Sequence, residues 1–169
     1  DFSLLYDETG MPVNKTQLVQ IVGKSLEEVK GIIAGEELLS QEKLVEILSN
    51  PVFYSLQGMQ LYKERQFLVT LPIKDTYAQK SGVDKRLQTL DDGEEMIFQG
   101  AIDLLAVGED GAWIIDYKYS VKDEKALKEH YKPQLELYRK ATSKILKIPE
   151  EKIRCSIVNI YKGFQTDFE

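Results

Sequence analysis

The sequence predicts an α/β domain with a central mixed β-sheet flanked by helices. Apolar residues recur with a helical period over the first third of the chain and then alternate as in strands. A second helical stretch and a final apolar strand follow. This order is typical of a sheet that packs helices on its faces. Because the final strand follows a long helix, it can cross over and pair parallel to the strand before that helix.

All 169 residues are expected to form one domain. We expect a helical part at 1–58 and a core at 59–169. The chain begins with Asp1 rather than Met, from which we expect a fragment of a larger protein.

The helical part predicts three helices, over 15–22, 26–34 and 41–48. Ser40 is the expected N-cap of the third helix, because its hydroxyl can accept from a free N–H of the first turn. Pro51 cannot continue that helix and ends it.

A strand is predicted over 61–73, with one apolar side formed by Phe67, Val69 and Leu71. The polar residues 74–93, rich in Gly and Asp, are expected to form a long loop.

A hairpin follows, with arms over 96–107 and 112–119. If Glu109 and Asp110 form a two-residue loop, Asp103 lies directly opposite Asp116. Two carboxylates that face each other across paired strands are about 4.5–5.5 Å apart at Cβ and destabilise the pair. A divalent cation between them removes this cost. Lys118 is two residues beyond Asp116 and therefore projects from the same face.

A long helix is predicted over 122–146, and its apolar stripe consists of Leu127, Tyr131, Leu135, Tyr138, Thr142 and Ile145. Pro133 either kinks this helix or starts a second one at its first turn. The final strand is expected over 153–161. Gln134 falls on the face that meets the sheet, where a buried amide needs hydrogen-bond partners. His130, the single histidine, is expected to be a partly exposed helix residue.

The composition limits the functional classes. The chain has one cysteine, Cys155, which excludes an internal disulfide and a cysteine-rich metal site and fits a reducing cytoplasm. One histidine excludes a histidine-based zinc site, and no Gly-Lys-Ser/Thr loop is present for ATP phosphates. No apolar run approaches the ~20 residues of a membrane helix, so no membrane association is expected.

The net charge of −6 and the pI of about 5.0 have the wrong sign for an autonomous nucleic-acid binder. The segment 118–147 is different, because it carries nine basic and four acidic side chains. Its net charge of +5 leaves −11 for the remainder. This segment is either a solvated helix face or a surface that contacts phosphates.

The tripeptide Asp116-Tyr117-Lys118 gains its meaning from context, since Asp-x-Lys occurs again at 123–125. The first copy ends an apolar strand, where sites in open α/β sheets form. With Asp103 opposite, the residues predict a metal-dependent centre that cleaves phosphodiesters.

Three motifs in order resemble those of RecB-type nucleases within the PD-(D/E)xK, restriction-endonuclease-like superfamily. They are Gly100-Ala101-Ile102-Asp103, Ile115-Asp116-Tyr117-Lys118 and Gln134-Leu135-Glu136-Leu137-Tyr138. The spacing, and the stretch 131–141, resemble the C-terminal nuclease domain of AddA-like helicase/nuclease subunits. The segment 62–67 is similar to the family's first core strand, which carries a glutamate followed by an aromatic residue.

The resemblance implies a role for each matching residue. Glu64, Asp103 and Asp116 would bind Mg²⁺, for which Mn²⁺ substitutes, and the Tyr117 carbonyl would be a further ligand. Lys118 would orient the attacking water and stabilise developing charge. The residues implied to help position DNA or the lysine are Gln134 and Tyr138.

Two departures from the family pattern stand out. The family usually has a histidine on an upstream helix, and this chain has none before Glu64. Tyr119 stands where the family usually has a threonine.

The resemblance implies a DNA exonuclease domain of a bacterial, cytoplasmic helicase/nuclease that acts in double-strand-break repair and recombination. Its partners would be single-stranded DNA ends, helicase domains of the same chain and a second nuclease subunit. Two alternatives remain open. One is a catalytically silent module with the nuclease fold that docks a partner or guides a strand. The other is a metal-dependent hydrolase of a phosphoester other than nucleic acid.

Overall fold

A computed structural model describes residues 2–7, 11–29, 40–73 and 93–168. In these ranges five strands form one sheet in the order β1-β2-β3-β4-β5. The strands are β1 (Gln60–Pro72), β2 (Glu95–Gly108), β3 (Gly111–Lys118), β4 (Ile153–Asn159) and β5 (Phe164–Phe168). β3 pairs parallel to β4 and the other neighbours are antiparallel, so the predicted mixed sheet and the crossover are confirmed.

The helices of the described residues are α1 (Lys15–Val29), α2 (Gln41–Leu48), α3 (Pro51–Tyr54) and α4 (Glu124–Leu146). Short 3-10 turns occur at Phe2–Leu5 and Glu150–Lys152. The helices α1 to α3 precede the first strand. The division of the chain at 58/59 into a helical part and a core stays a prediction. No helix of the described residues is long and apolar enough to span a membrane.

The predicted break between the first two helices is wrong, because α1 continues to Val29. Leu18, Val22 and Leu26 are spaced four residues apart and lie on one packed face, which holds the helix together across Gly23. The remainder of the second predicted helix, 30–34, lies outside the described residues, as do residues 74–92 of the predicted loop.

The predicted N-cap is confirmed, since Ser40 Oγ accepts a 3.2 Å hydrogen bond from the Lys43 N–H. Pro51 does more than end α2. It is the first residue of α3, whose N-cap Asn50 accepts from the Val52 N–H at 3.0 Å.

Two apolar cores cover the two faces of the sheet. On one face α4 packs against the sheet through Leu127, Leu135 and Ala141, and Ile114 of β3 points into this core. On the other face α1, α2 and α3 pack against the sheet, and Ile115 of β3 points into that core. Neighbouring residues of β3 therefore serve opposite cores, as the pleat of a strand requires.

Both β1 and β2 change the face on which their apolar side chains lie at one level of the sheet. On β2, Ile102 belongs to the α4 core, whereas Leu104 belongs to the opposite core. The register brings Glu64 of β1 to this level, because the pairs Lys63–Leu104 and Arg65–Ile102 flank it. Glu64 has φ +47°, a left-handed conformation that is costly for a non-glycine residue. The switch in side-chain direction thus coincides with two of the predicted site residues, Glu64 and Asp103.

The long helix differs from its prediction in two respects. Pro133 starts no second helix, because α4 runs from Glu124 to Leu146 with the proline inside it. Packing of Leu127 and Leu135 on the sheet outweighs the single backbone hydrogen bond that proline removes. Ile145 is not part of the buried stripe, since it is 44% exposed near the end of the helix.

The edge strand β5 was not predicted, and β4 ends at Asn159 rather than at residue 161. β5 has the sequence Phe164-Gln165-Thr166-Asp167-Phe168, which is too short and polar to give a clear apolar period. It forms because the residues 160–163 return the chain to pair with β4.

Candidate active site

Asp116 is the buried carboxylate at the end of β3. It is 2% exposed and lies on the α4 side of the sheet. Burial raises the pKa of its carboxyl group above the ordinary value, Lys118 opposes this rise and Asp103 adds to it. Oδ2 receives no hydrogen bond of good geometry from the described residues. The position therefore holds an anion that lacks part of its stabilisation.

Lys118 supplies the positive charge next to this anion. Its Nζ lies 2.5 Å from Asp116 Oδ2, and the lysine side chain is 20% exposed. The same ammonium group lies 4.8 Å from the centre of the Tyr131 ring, a distance suited to a cation–π contact. The two residues share a face of β3, as their spacing predicts.

Asp103 reaches the same end of the hairpin from β2. Its Oδ2 accepts a 2.8 Å hydrogen bond from the Tyr117 N–H. The hairpin has the predicted two-residue loop, and its pairs run from Gly108–Gly111 to Leu104–Ile115. One further step of this register sets Asp103 opposite Asp116.

Gln134 connects α4 to the buried carboxylate. Its Nε2 donates to Asp116 Oδ1 at 3.3 Å and to the Tyr138 hydroxyl at 3.0 Å. The partners that a buried amide needs are thus a site carboxylate and a site phenol. One helical turn carries both α4 residues to the end of β3.

Tyr138 is fixed by an aromatic contact at the β1–β2 pair. Its ring meets Phe67 at 5.5 Å and 82°, an edge-to-face arrangement. Burial is the main cause that raises the pKa of its hydroxyl group. Gly100 makes room for this contact, because a Cβ there would lie 2.9 Å from the Phe67 ring and 3.5 Å from the Tyr138 ring.

Glu64 does not join the other two acids. It lies opposite Asp103 in the strand register, but its side chain is exposed. Within the described residues, which include Glu64, Asp103 and Asp116, no three acidic, histidine or cysteine side chains are grouped closely enough to hold a metal ion. The structure therefore brings together Asp103, Asp116 and Lys118 and leaves Glu64 at their level on the neighbouring strand.

Tyr117 lies between the two charged residues of β3 and points to the opposite face. Its ring stacks on Phe53 of α3 at 6.4 Å, and burial raises the pKa of its hydroxyl group. The side chain thus anchors the strand end in the core formed with α1, α2 and α3.

His130 lies exposed on α4, with its ring 4.6 Å from that of Tyr131. An exposed ring that rests on its sequence neighbour is typical of a surface helix residue, in keeping with the expectation.

Asn159 is a supporting residue that the sequence analysis did not identify. It is fully buried, and its Nδ2 donates to the Ser120 carbonyl at 2.9 Å. Its Oδ1 accepts from the backbone N–H groups of Tyr161 at 3.0 Å and Lys162 at 3.2 Å. The available signal was a polar residue at the end of the apolar strand over 153–161.

The donor set of the site fits a hard divalent cation. Mg²⁺ is bound in proteins by one or two carboxylates and completes its shell with water and substrate phosphate oxygens. Asp103 and Asp116 supply two carboxylates, and the Asp116 oxygen beside Lys118 already has a cationic group as its neighbour. A dication at this position would stabilise the charged form of Asp116, which burial disfavours.

Comparison with known families agrees with this geometry. Residues 22–169 match the model of the PD-(D/E)XK nuclease superfamily, and the chain belongs to that superfamily. The mixed sheet with flanking helices is consistent with its restriction-endonuclease-like α/β fold. The resemblance drawn from the three motifs is confirmed.

Among characterised proteins, the chain is similar to bacterial AddA-like proteins, which are named as subunits of an ATP-dependent helicase/nuclease. It is 27% identical to the protein of Heliobacterium modesticaldum over 157 residues, which cover 88% of this chain and 10% of the relative. It is 31% identical to the protein of a Bacillus cereus strain over 170 residues, which cover 86% of this chain and 13% of the relative. The chain thus spans only about a tenth of the length of these relatives.

Proposed function

We propose that this chain is a Mg²⁺-dependent deoxyribonuclease domain that acts as an exonuclease. The observation that carries the proposal is the buried Asp116, which has Lys118 at 2.5 Å and Asp103 on the adjacent strand. A buried carboxylate with a raised pKa, a lysine and a second acid at a strand end form a constellation suited to phosphoester hydrolysis.

Asp103 and Asp116 are the proposed ligands of Mg²⁺, and Mn²⁺ is expected to substitute. Glu64 and the Tyr117 carbonyl are proposed as further ligands. Glu64 lies at the correct level of the sheet, so a change of side-chain rotamer is the movement required of it. The ion would supply Lewis-acid polarisation of the scissile phosphate and lower the pKa of a bound water.

Lys118 is proposed to stabilise the charge that develops on the phosphate and to orient the attacking water. Its ammonium group is held by Asp116 on one side and by the Tyr131 ring on the other, so little reorganisation is required of it. Gln134 is proposed to hold Asp116 through Oδ1, which leaves Oδ2 for a cation. The proposed role of Tyr138 is to complete this support and to line the approach of DNA.

The proposed substrate is single-stranded DNA whose ends are delivered by a helicase. The relatives carry both activities in their name, and this chain corresponds to about a tenth of their length. We therefore propose that helicase domains belong to the same longer protein and that a second nuclease subunit completes the complex. Its proposed setting is double-strand-break repair and recombination in the bacterial cytoplasm, since the relatives are bacterial.

The charge distribution supports delivery of DNA rather than its capture by this domain. The chain as a whole carries −6, whereas the segment 118–147 carries +5. Some of these basic groups have intramolecular partners, since Lys128 pairs with Glu124 at 3.3 Å and Arg139 donates to the Phe168 carbonyl. The remaining cations give a local attraction for phosphate that salt weakens.

The experiment that tests this function is cleavage of end-labelled single-stranded DNA with Mg²⁺, Mn²⁺ or EDTA. The wild type is expected to release nucleotides only with a divalent cation. Asp116→Ala is expected to abolish cleavage and keep the circular dichroism spectrum of the wild type. Asp110→Asn, in the exposed hairpin loop, is the matched control and should cleave normally. Equal cleavage by Asp116→Ala would refute the assigned site.

One observation favours a second candidate function, a silent nuclease-fold module that docks a partner or guides a strand. Glu64 is not grouped with Asp103 and Asp116, and no metal-binding group of three occurs among the described residues. A folded wild type that neither binds Mn²⁺ nor cleaves DNA would favour this module over the nuclease.

A further inference from the structure

Two exposed aromatic side chains lie beside the candidate active site. Tyr119 directly follows Lys118 and is 68% exposed, and Tyr161 follows β4 by two residues and is 46% exposed. Their rings meet edge to face, 5.3 Å apart at 76°. Since β3 and β4 are parallel, both chain ends emerge at the same edge of the sheet as the site. Large exposed rings cost hydrophobic free energy unless a partner covers them.

The backbone under this aromatic pair is held firmly. The Ile160 N–H donates to the Lys118 carbonyl at 2.8 Å. The buried Asn159 side chain links the Ser120 carbonyl to the N–H of Tyr161. The segment that carries the catalytic lysine candidate and the segment that carries Tyr161 are thus joined by three hydrogen bonds. Such a preorganised surface loses little conformational entropy on binding.

Positive charge surrounds the pair. Lys118 and Lys122 lie on one side, and both ammonium groups face the Tyr131 ring, at 4.8 and 5.8 Å. Lys162 is exposed directly after Tyr161. The acidic group near this loop, Glu46, is neutralised by Lys43 at 2.9 Å. Aromatic faces with cations around them suit a ligand that combines a flat ring with phosphate.

We propose that Tyr119 and Tyr161 form a stacking platform for an unpaired base of single-stranded DNA next to the scissile phosphate. The inference rests on the proposed nuclease function and adds a residue-level determinant of its preference for single strands. A base in a duplex has both faces stacked and cannot reach these rings, whereas an unpaired base can. The lysines would contact the adjoining phosphates.

The first test is the affinity for a short fluorescein-labelled oligothymidylate, measured by anisotropy in EDTA so that no cleavage occurs. Tyr119→Ala should weaken binding roughly 5- to 150-fold, the range for loss of one stacked base. Tyr119→Phe keeps the ring and should bind like the wild type, and Tyr161→Ala should also weaken binding. Tyr54→Ala, which removes a 38% exposed tyrosine from α3, is the matched control and should not change the affinity.

An abasic oligonucleotide of the same length and charge separates stacking from phosphate contact. The wild type and Tyr119→Ala should bind it equally, because it offers no base to stack. Equal affinity of the wild type and Tyr119→Ala for oligothymidylate would overturn the platform, as would an equal loss on both oligonucleotides. Failure of the folded wild type to bind oligothymidylate would also overturn it, and a protein partner would then be the better occupant of the rings.

Cleavage with Mg²⁺ tells failure of the platform from failure of the nuclease function. If the wild type and Tyr119→Ala cleave with the same KM, the nuclease stands and the platform is refuted. If oligothymidylate binds through the rings but no cation supports cleavage, the platform stands and the nuclease function fails. A raised KM with nearly unchanged kcat in Tyr119→Ala supports both.

Discussion

The ammonium group of Lys118 lies 2.5 Å from Asp116 Oδ2, at the end of a buried strand and below the Tyr131 ring. A buried carboxylate requires a cation or hydrogen bonds, and here the lysine supplies the charge while Gln134 holds the other oxygen. This pair defines a position at which positive charge is stabilised. A divalent cation that enters it would compete with the lysine and free the ammonium group for a substrate phosphate.

The free energy of unfolding should depend on pH through Asp116. Its folded pKa is raised, so between the unfolded value of about 3.9 and the folded value the native state holds more protons. The contribution of Asp116 to stability is therefore complete below the unfolded pKa and is lost as pH rises through the folded pKa. Asp116→Asn lacks this loss, and its stability relative to the wild type should increase across that window. Urea denaturation over a pH series measures it.

Asp110→Asn is the control for this pH dependence, because Asp110 is exposed in the hairpin loop. It should follow the wild type at every pH. Parallel stability curves for the wild type and Asp116→Asn would contradict the raised pKa.

Lys118→Met should remove the charge that stabilises the phosphate while it keeps much of the side-chain volume. We expect kcat for DNA cleavage to fall about 10²–10³-fold, the usual cost of one preorganised electrostatic group. Lys24→Met, on an exposed position of α1, should cleave normally. A Lys118→Met protein with unchanged kcat would show that the lysine has no role in the chemical step.

Gln134→Leu should lower cleavage and Mn²⁺ affinity about 10- to 100-fold, because Asp116 loses the hydrogen bond that fixes its orientation. Tyr138→Phe should have a smaller effect, since it removes the phenol but keeps the ring against Phe67. Titration with Mn²⁺ and initial rates measure both variants. If Tyr138→Phe were the more damaging change, the phenol rather than the amide would be the important contact.

Gly100→Ala should destabilise the fold by about 1–3 kcal/mol, the cost of overpacking a filled core. The added Cβ would lie 2.9 Å from the Phe67 ring, which would have to move against Tyr138. Chemical denaturation measures the loss, and adding Phe67→Leu should recover part of it. Gly93→Ala is the control, because no atom lies within 4 Å of the added Cβ. A Gly100→Ala protein as stable as the wild type would refute the close approach.

The hairpin and its charged residues could be predicted because they depend on local rules. Turn residues set the register, strand alternation puts Asp116 and Lys118 on one face, and an amide on the buried face of a helix must find partners. The crossover from β3 through α4 to β4 was predictable from element order for the same reason.

Other features depend on tertiary contacts that the sequence does not display. The left-handed conformation of Glu64, and the change of face at Asp103, arise where two strands adjust to each other. β5 forms only because β4 offers an edge. The continuity of α1 and the tolerance of Pro133 in α4 come from packing on the sheet, which outweighs local propensity.

The most direct measurement of the proposed centre is Mn²⁺ binding followed by the electron paramagnetic resonance signal of the free ion. The wild type and Asp110→Asn should bind Mn²⁺ with equal affinity, and Mg²⁺ should compete with it. Asp103→Asn and Asp116→Asn should each weaken binding strongly while the proteins remain folded. If Asp116→Asn bound Mn²⁺ as tightly as the wild type, the carboxylate beside Lys118 would not be a metal ligand.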